Sequence, residues 1–157
     1  MGIEVERKFL VKGKFKQLAD RSIYVIQGYL STENERSVRI RTMDEKAYLT
    51  IKGLGNDSGV SRPEWEYEIP YNDAKELLQI CQMGIIEKKR YIVFYEGFRY
   101  EVDEFFGENE GLQVAELELK TEDEEFKKPV WLGREITNEM KYYNLMLLKH
   151  PYKYWVK

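Results

Sequence analysis

Glu4 and Glu6 stand two residues apart, and so do Glu64 and Glu66, Glu101 and Asp103, and Glu116 and Glu118. Arg39 with Arg41 and Lys88 with Arg90 repeat the spacing with the opposite sign, while Lys8 and Lys52 extend neighbouring runs. Carboxylates without His or Cys suit hard divalent cations such as Mg2+ or Mn2+, and Arg and Lys suit phosphate oxygens. A spacing of two puts both members of a pair on one face of a β-strand, about 6.6 Å apart. Like charges that close repel unless opposite charge lies between or across from them. Any one of these strands reads as the solvated face of an ordinary antiparallel sheet. The set does not, because most faces carry a single sign where a solvated surface interleaves both.

The elements that must carry these residues are strands. Period-two alternation predicts them near Ile3–Val11, Tyr24–Ser31, Ser37–Thr42, Ala47–Lys52, Trp65–Pro70, Ile85–Tyr95, Phe98–Phe105 and Leu112–Lys120. Turn residues separate them: 32–34, 43–45, Glu96-Gly97 and 107–111, with a glycine-rich loop over 53–59. Eight strands with short connections predict a mainly β (α+β) protein whose antiparallel sheet closes into a barrel. If it closes, six cations (Lys8, Arg39, Arg41, Lys52, Lys88, Arg90) and at least five carboxylates (Glu4, Glu6, Asp103, Glu116, Glu118) share one lumen. The apolar faces then turn outward beneath helices, the reverse of a small barrel's usual interior. An empty lumen of that kind is costly to desolvate, so it reads as a water-filled tunnel for a polyanion held with divalent cations.

Helices are few. One is expected from Asn72-Asp73 through Cys81, and a second from Thr137 or Asn138, with Met140, Tyr143 and Leu147 on its stripe, until Pro151 stops it. Lys14–Asp20 and Glu122–Lys127 read as short helical turns, the acidic run Glu122–Glu125 as a solvated helix start.

Composition bounds the rest. The chain has 157 residues and is expected to form one domain over 1–157, 43% hydrophobic and large enough to fold without a disulfide. Twenty-five basic and 28 acidic residues leave a formal charge of −3, which argues against a polybasic nucleic-acid or membrane binder. The start, Met1-Gly2-Ile3-Glu4-Val5-Glu6-Arg7-Lys8, is too charged for a signal peptide, so a cytoplasmic location is expected. The single cysteine, Cys81, lies on an apolar helix stripe and reads as core, and the lone His150 has no partner motif. Loop 53–58 gives G-x-G-x-x-S, and no GxxxxGK[ST] occurs, so those nucleotide-binding loops are lacking.

Glu4-x-Glu6-x-Lys8 resembles the ExExK signature of the CYTH, or triphosphate tunnel metalloenzyme, family. The resemblance continues through Gln27-Gly28-Tyr29-Leu30, Arg39-x-Arg41, Thr50-x-Lys52, Glu64-x-Glu66, Glu87-Lys88-x-Arg90-Tyr91, Asp103 and Glu116-x-Glu118. It closes with Lys141-Tyr142-x-Asn144, similar to the C-terminal helix of the short bacterial members. It implies an eight-stranded tunnel that hydrolyses or cyclises triphosphates with Mg2+ or Mn2+. It also implies a metal shell of Glu4, Glu6, Glu116 and Glu118 with Asp103, and a phosphate clamp of Lys8, Arg39, Arg41, Lys52, Lys88 and Arg90. Glu64 and Glu66 would orient the cations or help hold a second metal, and Tyr29 with Lys52 would handle protons.

The resulting expectation is a metal-dependent triphosphatase acting on inorganic tripolyphosphate or nucleoside triphosphates. A class IV adenylate cyclase and a noncatalytic polyphosphate or nucleotide sensor are the alternatives. No residue set reads adenine, and a pure anion binder gains little from four glutamates beside its cations. Expected partners are a small-molecule triphosphate, with neither nucleic acid nor membrane, and a homodimer is compatible with the sequence.

Overall fold

The computed structural model describes residues 2–156. Nine strands run in chain order: β1 Gly2–Val11, β2 Arg21–Ser31, β3 Arg36–Met43, β4 Lys46–Gly53, β5 Ser61–Ile69, β6 Gln82–Tyr95, β7 Phe98–Phe105, β8 Gln113–Glu118 and β9 Leu132–Glu135. The sheet order is β5-β4-β3-β2-β6-β7-β8-β1, every pairing is antiparallel, and β1 also pairs with β5. Eight strands therefore close into a barrel. The closing seam is short: Gly2–Val5 of β1 lie against 61–64 of β5.

β1 serves three neighbours. Its second half pairs with β8, from Glu6 opposite Glu118 to Leu10 opposite Val114. On its other edge, beyond β5, Phe9 and Val11 pair with β9. This ninth strand escapes the sequence pattern because it is four residues long and contains Gly133. A Cβ at Gly133 would sit 2.8 Å from the Leu10 carbonyl oxygen, so glycine permits the strands to approach. β5 begins earlier than its alternation suggests, since Pro63 reads as a breaker yet pairs with Ile3 at the seam.

The apolar faces pack outside the barrel. Val5, Phe9, Val102, Ala115 and Leu117 bury against Phe15, Trp131 and Leu132 of the flanking segments. Ile40 and Ala47 bury under Ala74 of α1 (Tyr71–Gln79). A third cluster differs. Ile86, Phe105 and Val114 stand on the lumen faces of their strands and pack with Leu147 of α2 (Asn144–Lys149), so α2 stops one end of the tunnel.

Two helical expectations are corrected. The continuous helix from 137 is instead a 3-10 turn at Met140–Tyr142, an extended Tyr143 (φ −67°, ψ 138°) and then α2. Tyr143 breaks the helix while its hydroxyl donates to the Thr137 carbonyl at 2.9 Å. The acidic run starts no helix either: 121–123 form a bend and turn, and 125–129 carry no regular structure. The turn at Lys16–Leu18 forms as expected. Among the described residues no helix is long and apolar enough to cross a membrane.

Candidate active site

The lumen is a cavity of about 650 Å³. Its wall carries Glu4, Glu6 and Lys8 from β1, Tyr29 from β2, Arg39 and Arg41 from β3, and Tyr48, Thr50 and Lys52 from β4. Glu64 and Glu66 come from β5, Lys88 and Arg90 from β6, Glu101 from β7, and Glu116 and Glu118 from β8. The structure thus gathers every expected site residue but one onto a single wall.

The exception is Asp103. It is fully buried beneath the wall rather than on it, with Arg90 Nε and Nη2 donating to its two oxygens at 2.8 and 2.9 Å. Lys88 Nζ lies 2.8 Å from the same carboxylate. Glu101, two residues earlier on that face, takes the place on the wall and sits 3.4 Å from Arg90. The alternation that marked Asp103 marks Glu101 equally. Parity alone does not say which of two residues on a face ends up under a neighbour's guanidinium.

The cations fall into two groups. Lys8, Lys52, Lys88 and Arg90 are each held by carboxylates. Lys8 Nζ is 3.0 Å from Glu6 and from Glu116, and Lys52 Nζ is 2.9 Å from both oxygens of Glu4. Arg39 and Arg41 are less satisfied. Their ion-pair carboxylate is Glu66, at 3.6 and 3.5 Å, and the buried Nε of each lacks a hydrogen-bond partner. Burial, with Arg39 and Arg90 close by, pushes Arg41 down to about 9. Burial likewise brings Lys88 down to about 8, Asp103 only partly opposing it and Arg90 adding to it. Buried guanidinium nitrogens without acceptors are rare and expensive, so this side of the lumen is built for an anion.

The carboxylates are strained in the opposite sense. Burial and the neighbouring Glu116 raise Glu6 to about 8, while burial and a hydrogen bond with Glu4 raise Glu64 to about 7. Burial, Glu4 and Glu101 raise Glu118. Glu4 and Glu116 go down despite burial, Glu4 to about 2 through Lys52 and Glu116 through Lys8 and Arg90. An all-oxygen donor set with mutual repulsion fits a hard divalent cation. Among the described residues no three of these groups yet converge as a ready cluster, since Lys8 and Lys52 stand between them.

A pH dependence follows. Glu6 keeps its proton in the folded protein up to about 8 and in the unfolded chain only to about 4.5. Its stabilising contribution is therefore present below the unfolded value and lost as pH rises through the folded one. With chelator present, the melting temperature should fall between pH 5 and 8.5, reflecting a few kcal/mol, and Glu6→Gln should flatten the fall. A Glu6→Gln melting curve parallel to wild type would refute the assignment.

Several wall residues carry no charge pattern. Thr50 Oγ1 donates to Glu66 at 2.8 Å and accepts from Arg39 at 3.2 Å, linking the carboxylate to the arginine. Asn144, the first residue of α2, accepts from Lys88 Nζ at 2.9 Å and from Gln27 Nε2 at 3.0 Å. Thr50 stands on the lumen face of β4, where a neutral polar residue is too common to stand out, and Asn144 reaches the lumen from α2.

An inorganic triphosphatase of Acetivibrio thermocellus is 50% identical over 155 residues, 98% of this chain and 97% of that protein. One of Nitrosomonas europaea is 32% identical over 148 residues, 92% of this chain and 95% of that protein. The solved structure of the inorganic triphosphatase NE1496 superimposes with a TM-score of 0.65 at 29% identity, covering 92% of this chain and 97% of its own. The CYTH domain matches residues 2–150, nearly the whole tunnel described above, and the chain belongs to the CYTH family.

Proposed function

We propose that this protein is a divalent-metal-dependent phosphoanhydride hydrolase acting on inorganic triphosphate inside the barrel. The observation that carries it is the pair Arg39 and Arg41, each with a buried Nε that has no acceptor, facing a lumen that also holds seven glutamates. A linear triphosphate supplies the acceptors the arginines lack, and relatives named inorganic triphosphatase at 50% and 32% identity support that substrate.

Glu4, Glu6, Glu116 and Glu118 would hold the metal, which when bound would supply Lewis-acid neutralisation of phosphate charge and a lowered water pKa. Asp103 sits outside this set and serves by fixing Arg90 and Lys88. Glu66 orients Arg39 and Arg41 through its carboxylate and Thr50. The attacking water forms a bond to the terminal phosphorus as the bridging oxygen leaves with the diphosphate. Charge building on the phosphate oxygens is met by cations already in place, so none must reorganise. Tyr29, buried on the wall, and Lys52, held by Glu4, are the proton-handling pair.

Product analysis tests the proposal. Tripolyphosphate, ATP, thiamine triphosphate and long-chain polyphosphate would be supplied with Mg2+ or Mn2+, with and without chelator. Expected are orthophosphate and pyrophosphate from tripolyphosphate, release of orthophosphate rather than cyclic AMP from ATP, and loss of both with chelator. Cyclic AMP as the main product from ATP, or undiminished turnover in chelator, would overturn it.

A further inference from the structure

The cavity's roof is held by a side chain that belongs to none of the charged strand faces. Loop 54–60 joins β4 to β5, and Leu54, Gly55, Asn56, Gly59 and Val60 line the cavity beneath it. Glu122, in the turn after β8, gathers the loop's polar groups. Its Oε2 accepts from Asn56 Nδ2 at 2.6 Å and from Ser61 Oγ at 2.6 Å, and its Oε1 lies 2.7 Å from Ser58 Oγ. Asn56 Oδ1 accepts from the Ser61 amide at 3.3 Å, and Ser58 Oγ accepts from the Val60 amide at 3.1 Å. Hydrogen bonds from Ser61, Ser58 and Asn56 hold the Glu122 carboxyl below its usual range.

The same residue is tied to the catalytic strand. Arg7 Nη2 donates to the Glu122 carbonyl at 3.2 Å, and Arg7 stands on β1 between Glu6 and Lys8. The Glu6 amide in turn donates to the Val60 carbonyl at 2.9 Å. A second seat lies across the loop. Gly59 has φ +73°, and a Cβ there would come within 1.9 Å of Asn138 Oδ1, so only glycine lets the loop lie against that segment.

Its other anchors are few: Val60 packs against the outer core, and the Asn56 amide donates to the Ser61 carbonyl at 3.0 Å. Leu54 is 64% exposed, and the segment carries two glycines. Segments with few buried apolar contacts open readily, and charge-assisted hydrogen bonds are the stronger kind that can hold them. We propose that Glu122 is a positioning residue that latches this loop shut over the bound triphosphate and so sets how long substrate stays in the tunnel. The proposal rests on the triphosphatase reading for its substrate, not for the latch itself.

Steady-state kinetics on tripolyphosphate with Mn2+ and amide hydrogen exchange on the ligand-free protein test it together. Glu122→Ala should raise KM about tenfold with kcat within about twofold, and the amides of 56–61 should exchange faster. Glu122→Gln keeps one acceptor oxygen and should fall between. Gly59→Ala, which pushes the loop off Asn138 with Glu122 intact, should reproduce the KM effect. Glu125→Ala removes a charge from the same acidic run without touching the loop and should behave as wild type. Unchanged KM and unchanged exchange in Glu122→Ala would overturn the latch, as would an equal effect of Glu125→Ala. The exchange measurement needs no turnover. If wild type released no phosphate, the triphosphatase reading would fail while loop protection would still support or overturn the latch.

Discussion

Arg41→Ala should yield a protein that melts later than wild type but turns over tripolyphosphate about 100- to 1,000-fold more slowly. The two effects have one cause. Arg41 is 8% exposed, its Nε has no acceptor, and its nearest carboxylate is Glu66 at 3.5 Å. Without ligand it is a buried charge beside Arg39 and Arg90, both of which disfavour it. Removing it relieves that repulsion and an orphaned donor, for a gain of roughly 1 kcal/mol, or about 2–4 °C for a chain of this size. With substrate bound, the same guanidinium meets the phosphate charge that grows in the transition state, and its loss is felt there. Wild type should gain melting temperature with millimolar tripolyphosphate, and the variant should gain much less. Full activity in Arg41→Ala, or a lower melting temperature without ligand, would show that the arginine is structural.

Asp103→Asn should have the largest effect on stability, about 3–5 kcal/mol, because it removes the charge of the buried carboxylate that Lys88 and Arg90 both bond. Arg90 is 5% exposed and Lys88 is 1% exposed, and both bond to Asp103 within 3.0 Å. Burial opposes the charge on Asp103, yet Arg90 and Lys88 hold its carboxyl below the usual range. A depressed carboxylate contributes stability above its unfolded value and loses it as pH falls through the folded one, so the wild-type advantage over Asp103→Asn should shrink in acid. Denaturant unfolding at pH 7 measures the loss. Glu101→Gln is the contrast, since Glu101 lies on the lumen wall 3.4 Å from Arg90 and should cost under about 1 kcal/mol. Adding Lys88→Met to Asp103→Asn should restore part of the stability, because the Lys88 charge is then gone. Equal, small losses for Asp103→Asn and Glu101→Gln would place the two carboxylates in the same environment and refute the distinction.

Much of the site was legible because strand parity is a local property. A residue at i and one at i+2 face the same way whatever the rest of the chain does. Arg39 with Arg41, Glu116 with Glu118 and the other pairs therefore reached the lumen as soon as their strands formed, and the one-sided signs marked that face as something other than solvent. The existence of eight of the nine strands was legible for the same reason, and the ends of β7 matched its alternation at Phe98–Phe105.

What depended on the tertiary structure is what parity does not encode. Depth along a lumen is set by the stagger of strands around the barrel. Asp103 and Glu101 share a face, yet Arg90 covers one and leaves the other open. Closure itself rests on a four-pair seam between β1 and β5, including a proline that local rules read as a break. The helix expected from 137 ends at Tyr143, where Asn144 is drawn onto Lys88 and Gln27, residues 56 and 117 positions away. Glu122 meets Asn56 across 66 residues of sequence. By itself the sequence determined which side chains face the tunnel, because that is a matter of two-residue spacing. Only the folded chain decided which charges are paired, which are left for a ligand, and what holds the roof, because those are contacts between segments that no periodicity connects.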